Sequence, residues 1–305
     1  MDDDGRGMTR IPIRVAITVR GEDIHLDFTG SGPQARGGIN FVWPALQGMV
    51  YYSLKTILDP TIPSNGGFFR AVRISAPPGT ITNALPPAAM AGRSDTAQRV
   101  VDVIFGALAP VIPEQVVAAC NGAVTASMFS DFDAESDRHY VYIETQGGGS
   151  GARRNRDGLD GVQVHATNTS NLPVEALENE YPLRVDRLEL VPDSGGRGKY
   201  RGGMGIRKDI RVGGHTATFS THADRQQLPP WGLFGGESGR CGRSVVTRVA
   251  TGTTELLSSG KMSEILLADG DTVSVQTPGA GGWGPPEERL LHLHERDLRQ
   301  GKVTA

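Results

Sequence analysis

Apolar and polar residues alternate along much of the chain, a pattern typical of β-strands that have one buried face. Alternation at 11–19 resumes at 24–28 after Gly21-Glu22-Asp23, which predicts a β-hairpin. Further strands are predicted at 139–145, 162–167, 183–191, 216–221, 244–250 and 272–277. The chain is therefore expected to be rich in strands after about residue 110.

Apolar residues recur at helical spacing in fewer segments. Helices are predicted over 44–58, from Ser94 as N-cap to the residue before Pro110, briefly from Pro173, and between Pro285-Pro286 and Gly301. Because strands dominate and helices do not alternate with them regularly, the predicted fold class is α+β, β-rich, with extensive antiparallel sheet. Turn residues concentrate at 190–205, which favours a division into a region 1–195 and a β-rich carboxyl-terminal region 196–305.

Composition and charge narrow the class of protein. The 305 residues include 31 Lys and Arg against 34 Asp and Glu, so no overall basic field would attract nucleic acid or anionic lipid. No apolar run approaches the ~20 residues of a membrane helix, and the acidic start MDDDGRG lacks the apolar stretch of a secretory signal. The chain has only two cysteines, Cys120 and Cys241. Together, these features predict a soluble, cytoplasmic protein in which both thiols are buried small hydrophobes.

Glycine is abundant, at 41 residues, and forms motifs that need to be weighed as binding sites. Residues 279–284 fit G-x-G-x-x-G, but Pro285-Pro286 follow and too little chain remains for a βαβ unit, so a tight turn is predicted. Gly260-Lys261 precedes Met262 where a P-loop needs Ser or Thr, so no Walker-type ATP site is predicted. The run 146–154 either cradles an anion through its N–H groups and arginines or is a flexible loop.

Several dense motifs resemble one protein family. DFTGSGPQ from Asp27, followed by GIN from Gly38, is similar to the DFTGS-x-x-Q and G-x-x-N signature of the hydantoinase B/oxoprolinase family. Further matches are IPSNGGFFR from Ile62, PPGT from Pro77, PAAMAGRSDTAQRV from Pro87, HATNTSNLPVEALENEYP from His165, DSGGRGKYRGGMG from Asp193, DRQQLPPWGLFGG from Asp224 and PGAGGWGPP from Pro278. Their order and spread resemble the carboxyl-terminal half of a hydantoinase B-type subunit.

The resemblance implies a multi-subunit, ATP-dependent enzyme that hydrolyses cyclic amides such as hydantoins or 5-oxoproline. It implies that a hydantoinase A-like partner handles ATP, and that another chain supplies the amino-terminal half with its NDP-x-x-GG-x-H-x-x-D-type segment and divalent metal. No such segment occurs here, so this chain is expected to bind no metal or cofactor itself and to be inactive alone. The alternatives are a subunit of a ketone carboxylase of the acetone/acetophenone type, or a non-catalytic structural subunit of either complex.

The polar segment 146–180 is the predicted location of that chemistry. His165 is the candidate acid–base residue, because histidine alone has an ordinary pKa near neutrality, and Asp157 or Glu175 would orient it. A strand histidine satisfied by its neighbours is the alternative interpretation. Arg153 would hold an anionic phosphate. The other candidate substrate- or anion-binding residues are Gln146, Gly148, Asn168 and Asn171.

Two polar clusters lie outside that segment. The one at the second predicted helix is interpreted as surface ion pairs rather than a functional cluster, and it comprises Arg93, Asp95 and Arg99. The other precedes Pro229-Pro230 and is assigned equally to a subunit interface or a pocket; it comprises His222, Asp224 and Arg225.

Overall fold

In the computed structural model, which describes residues 1–133 and 137–304, strands outnumber helices and the two do not alternate regularly. The helices are α1 (Trp43–Leu58), α2 (Gly66–Arg70), α3 (Arg93–Leu108), α4 (Val174–Glu180) and α5 (Leu291–Arg299), the last preceded by a 3-10 turn at Pro286–Glu288. The strands are β1 (Ala16–Arg20), β2 (Asp23–Asp27), β3 (Val72–Ser75), β4 (Thr125–Asp133), β5 (Arg138–Gln146), β6 (Leu183–Leu190), β7 (Ile206–Val212), β8 (Ala217–His222), β9 (Arg243–Thr247), β10 (Thr254–Leu256), β11 (Lys261–Leu267) and β12 (Thr272–Gln276).

The described strands form three sheets. The two larger ones have the orders β10-β9-β12-β7-β6 and β11-β8-β4-β5, and every neighbouring pair in them is antiparallel. The small sheet β1-β2-β3 joins the predicted β1–β2 hairpin to a parallel third strand. The predicted α+β fold with extensive antiparallel sheet is therefore confirmed.

The described residues form three apolar cores, and the two larger ones hold these layers together. Side chains of the two larger sheets meet in one core, which includes Phe129, Ile210, Phe219, Val246 and Val273. This explains the alternating pattern, because successive strand residues face the core and the solvent in turn. The second core lies between α1, α3 and the small sheet and includes Phe28, Leu46, Leu54, Val100 and Ile104. No described helix is both long and apolar enough to cross a membrane.

Most predicted elements form, with two differences that matter for the site. Helix α3 ends before Pro110 as predicted, but its N-cap is Gly92 and not Ser94. No strand forms over 162–167, where only Val162 makes an isolated bridge, to Gly148. The alternation there is misleading because Val164 packs inward beside α3 while the chain around it turns. Strand β6 pairs with β7 although the two strands lie on opposite sides of the predicted division between residues 195 and 196. That division into two regions stays a prediction.

Much of the glycine lies in three backbone segments, 147–151, 195–205 and 279–284, which we call the glycine hub. The segments exchange backbone hydrogen bonds, for example Gly203 N–H to Ser150 at 2.9 Å and Gly196 N–H to Ala280 at 2.8 Å. A Cβ on Gly279 would lie 1.9 Å from the Ser194 carbonyl oxygen, so the close approach requires glycine there. The flexible-loop interpretation is wrong for 147–149, since these residues are buried in the hub.

Candidate active site

Helix α3 has a buried polar face as well as an apolar one. Asp95, Arg99 and Asp102 follow at intervals of four and three residues, which places them on one side of the helix, and each is at most 5% exposed. They pair, in that order, with His222 at 3.0 Å, Asp224 at 2.7 Å and Arg225 at 2.8 Å, at the end of β8 and just after it. The prediction of surface ion pairs is therefore wrong for Asp95 and Arg99, because the segment at 222–225 covers them.

Two side chains of α3 fix the position of His165. Gln98 donates a hydrogen bond to the Val164 carbonyl at 3.0 Å, and one turn later an Asp102 oxygen lies 3.0 Å from Nε2 of His165. The His165 backbone has a φ of +50°, a left-handed conformation that is uncommon for residues with a Cβ. The histidine therefore lies on a turn held by α3, and its interpretation as a strand residue is wrong.

Asp102 connects the imidazole of His165 to Cys120 and Arg225. Its Oδ1 also accepts the backbone N–H of Cys120 at 3.1 Å, and its Oδ2 accepts a guanidinium N–H of Arg225 at 2.8 Å. The sulfur of Cys120 accepts the N–H of Gly151 at 3.2 Å. Ligand-type atoms of Asp102, Cys120 and His165 all lie within 4.8 Å of one another. Cys120 is buried as predicted, but it belongs to a polar cluster instead of an apolar core.

The neighbours of His165 determine its protonation state. Burial by itself would lower the pKa of His165, but the Cys120 sulfur and the Asp102 carboxylate outweigh it and raise the pKa to about 10. Burial would raise the pKa of Asp102, whereas His165 and Arg225 hold that pKa below its usual range. These neighbours therefore favour the protonated ring of His165, a proton donor, over the near-neutral base expected from its residue type.

His165 and Cys120 line a cleft with a volume of about 820 Å³. Three of the predicted binding residues line the same cleft, namely Arg153, Asn168 and Asn171. Arg154 pairs with Glu114, whereas the exposed Arg153 has no ion pair among the described residues. The cleft thus brings a buried imidazolium and a thiol together with an arginine that is free to bind an anion.

The two carboxylates predicted to orient His165 lie elsewhere. Asp157 is bound by Arg289 and Arg296, each at 2.8 Å, and it fastens the region of α5 to the glycine hub. Glu175 is exposed in the first turn of α4. The residue that orients His165 is Asp102, so the prediction of Asp157 or Glu175 in that position is corrected.

Gln146 and Gly148 lie behind the cleft wall. The Gln146 side chain is 1% exposed and donates to Ser127 Oγ at 3.0 Å. The N–H of Gly148 donates to the Val162 carbonyl at 3.0 Å. Both groups hold the wall of the site in place, and neither residue is among those that line the cleft.

The sequence contains one signal for Asp102 that the helical pattern obscured. Asp102 interrupts the apolar run from Val100 to Phe105, and a carboxylate among buried side chains needs a partner. No local signal exists for Cys120, whose neighbours come from distant parts of the chain.

A metal ion fits this cluster poorly. Asp102 already accepts hydrogen bonds from His165, Cys120 and Arg225, and a cation would have to displace them. The Arg225 guanidinium is also 1% exposed, so its positive charge is little screened by solvent. The donor set is better suited to proton transfer than to metal binding.

A family model described as hydantoinase B/oxoprolinase matches residues 1–286. The chain belongs to the hydantoinase B/oxoprolinase family. It is 33% identical over 312 residues to the B component of a putative D-/L-hydantoinase of Pseudomonas sp. strain NS671, an alignment that covers 100% of this chain and 52% of that relative. This member of the family thus spans about half the length of that relative.

Two solved structures share the fold of this hydantoinase B/oxoprolinase family member. The ATP-dependent caprolactamase from Pseudomonas jessenii superimposes with a TM-score of 0.89 at 25% identity, over 100% of this chain and 54% of that one. A nucleotide-free acetone carboxylase superimposes with a TM-score of 0.81 at 19% identity, over 95% of this chain and 43% of that one. The second likeness establishes the fold alone.

Proposed function

We propose that the chain supplies the proton-transfer and anion-binding part of a site for ATP-dependent hydrolysis of a cyclic amide of the hydantoin or oxoproline kind. The observation that carries this proposal is the position of His165, held by Asp102 beside a cleft that Arg153 also lines. Opening a ring amide requires such a pair of functions: a proton for the departing nitrogen and a positive group for a phosphorylated oxygen.

The chemistry divides among the residues of the cleft. Once an ATP-handling partner has phosphorylated the amide oxygen, the Arg153 guanidinium binds the phosphate, and Asn168 and Asn171 offer amide hydrogen bonds to the substrate. After water has added to the activated carbon, His165 donates its proton to the ring nitrogen as the carbon–nitrogen bond breaks. Asp102 keeps the imidazole oriented and charged until that step.

The remaining parts of the enzyme are assigned to partners. We propose a hydantoinase A-like chain that binds ATP and a chain that supplies the amino-terminal half of hydantoinase B with its divalent metal. The printed description of the hydantoinase relative as one component, B, of its enzyme supports this division. Two free cysteines are compatible with a complex in the reducing cytoplasm.

We prefer cyclic-amide hydrolysis to the two alternatives, which are ketone carboxylation and a purely structural role. The named relative at 33% identity is a hydantoinase component, whereas the likeness to acetone carboxylase, at 19% identity, carries only the fold. A purely structural role would give no function to a histidine that is held as an imidazolium at a cleft. These observations favour a catalytic contribution to a cyclic amidase.

Replacement of His165 in the assembled complex tests the proposal. His165→Ala and His165→Gln should each lower substrate-dependent ATP hydrolysis by ~100-fold or more, the usual scale for losing an acid–base group. His165→Gln restores a hydrogen bond to Asp102 but cannot donate a proton in the same way. Gel filtration of each complex checks assembly, and near-native turnover by an intact His165→Ala complex would remove His165 from the mechanism.

A further inference from the structure

Cys120 is a thiol that lines the cleft and lies directly beside His165 and Asp102. The residue is only 3% exposed, and what remains accessible opens on the cleft. Its backbone N–H is held by Asp102 and its sulfur accepts the N–H of Gly151. A Cβ on Gly151 would lie 1.8 Å from the Ala118 carbonyl oxygen, so only glycine lets the backbone come close enough to make that contact.

Two proton-donating groups lie beside the Cys120 sulfur. It accepts the N–H of Gly151, and it lies within 4.8 Å of the His165 ring nitrogen. Imidazole and backbone N–H groups beside a sulfur are the neighbours that activate a cysteine. A carboxylate, Asp102, orients the imidazole, and Arg225 in turn holds that carboxylate. A thiol, an imidazole and an orienting carboxylate together form the arrangement that activates a cysteine nucleophile.

We propose that Cys120 is the nucleophile of this cleft and forms a covalent bond with the activated acyl carbon of the cyclic amide. This inference rests on the proposed function and adds to it a covalent intermediate. A metal-bound alternative for the same three side chains is disfavoured, because the Asp102 oxygens are occupied by hydrogen-bond donors and one of these donors is a buried guanidinium.

The steps balance without any redox change. The Cys120 thiolate attacks the carbon of the O-phosphorylated amide, the carbon–sulfur bond forms, and phosphate leaves. Water then adds to the resulting carbon–nitrogen double bond, the nitrogen departs with a proton from His165, the hydroxyl proton goes to solvent, and a thioester remains. A second water, whose proton passes to neutral His165, attacks the thioester and releases the thiolate and the carboxylic acid. One ATP and two waters are consumed per ring opened.

Alkylation of the folded chain tests the activation of the thiol. Iodoacetamide at pH 7 should modify Cys120 at least ~10-fold faster than the half-buried Cys241, as followed by peptide mass spectrometry, although Cys120 is the less exposed. His165→Gln should remove that advantage, whereas Thr169→Ala, a change elsewhere in the cleft, should keep it. The Cys241 rate serves as an internal control of folding, since an unfolded variant would expose both thiols.

Three results would overturn the inference at this stage. The first is a wild-type Cys120 that reacts more slowly than Cys241, and the second is a Cys120 rate unchanged in folded His165→Gln. The third is one equivalent of Zn²⁺ bound to the chain and lost in Cys120→Ser, which would show that the sulfur is a metal ligand.

Turnover of the assembled complex separates this inference from the proposed function. Cys120→Ser should lower substrate-dependent ATP hydrolysis by at least ~100-fold, and Cys241→Ser should leave it unchanged. Acid quenching during wild-type turnover should trap substrate mass on the peptide containing Cys120. If His165→Gln is inactive while Cys120→Ser is active, the covalent route is wrong and the proposed function stands. If the wild-type complex opens no cyclic amide, the proposed function itself fails.

Discussion

At the scale of single residues, His165 shows how far surroundings can move a side chain from its ordinary chemistry. An isolated imidazole titrates near pH 6.5, where it would be a base at neutral pH. Beside Cys120 and Asp102 its pKa rises to about 10, against the opposing effect of burial. The same residue consequently changes from the predicted proton acceptor to a proton donor.

The ring titration of His165 should be visible by NMR. In the wild-type chain its imidazole resonances, assigned by their loss in His165→Gln, should stay those of the protonated ring at pH 8 and shift only near pH 10. Cys120→Ser should lower that pKa, because it removes a neighbour that favours the charged ring. Cys241→Ser should not change it. Titration of wild-type His165 near pH 6.5 would contradict the proposed proton donor.

At the scale of elements, α3 and the glycine hub hold the two sides of the site. Helix α3 presents Gln98 and Asp102 to the turn at His165, while the hub places the Gly151 N–H against the Cys120 sulfur. The hub depends on backbones that approach more closely than any Cβ would allow. The hub therefore uses glycine for close packing of the backbone, although glycine is usually associated with flexibility.

Two glycine substitutions should have opposite effects on stability. Gly279→Ala would place a Cβ 1.9 Å from the Ser194 carbonyl oxygen, and overpacking of this kind should lower the free energy of unfolding by at least about 2 kcal/mol. Gly48→Ala, at an exposed position in α1 with nothing within 4 Å, should raise it by about 0.5–1 kcal/mol. Urea denaturation measures both, and a neutral Gly279→Ala would show that the hub yields easily.

At the scale of the whole molecule, the cleft contributes one part of the proposed chemistry. The cleft offers a proton donor, a thiol and an arginine, whereas the phosphoryl donor and the expected divalent metal are assigned to partners.

The purified chain alone should therefore hydrolyse no hydantoin or 5-oxoproline in the presence of ATP. Coupled assays of ADP release with and without each substrate would measure this. Addition of a hydantoinase A-like chain and the amino-terminal half of hydantoinase B should restore turnover. Stoichiometric ATP-coupled ring opening by the pure chain would show that the division of labour is wrong.

The fold class, most strands and helices, and the family are all readable from the amino-acid sequence, which also singled out His165 as a candidate. They follow from local periodicity and from motifs that are contiguous in the chain. Contacts in the folded chain were needed to show that Asp102, and not Asp157 or Glu175, holds His165, and that Cys120 lies beside the ring. Helix α3, the segment at 222–225 and the glycine hub come together only through long-range packing. The side chains that pair at the site, their burial and the His165 pKa therefore depend on residues that lie far apart in the chain.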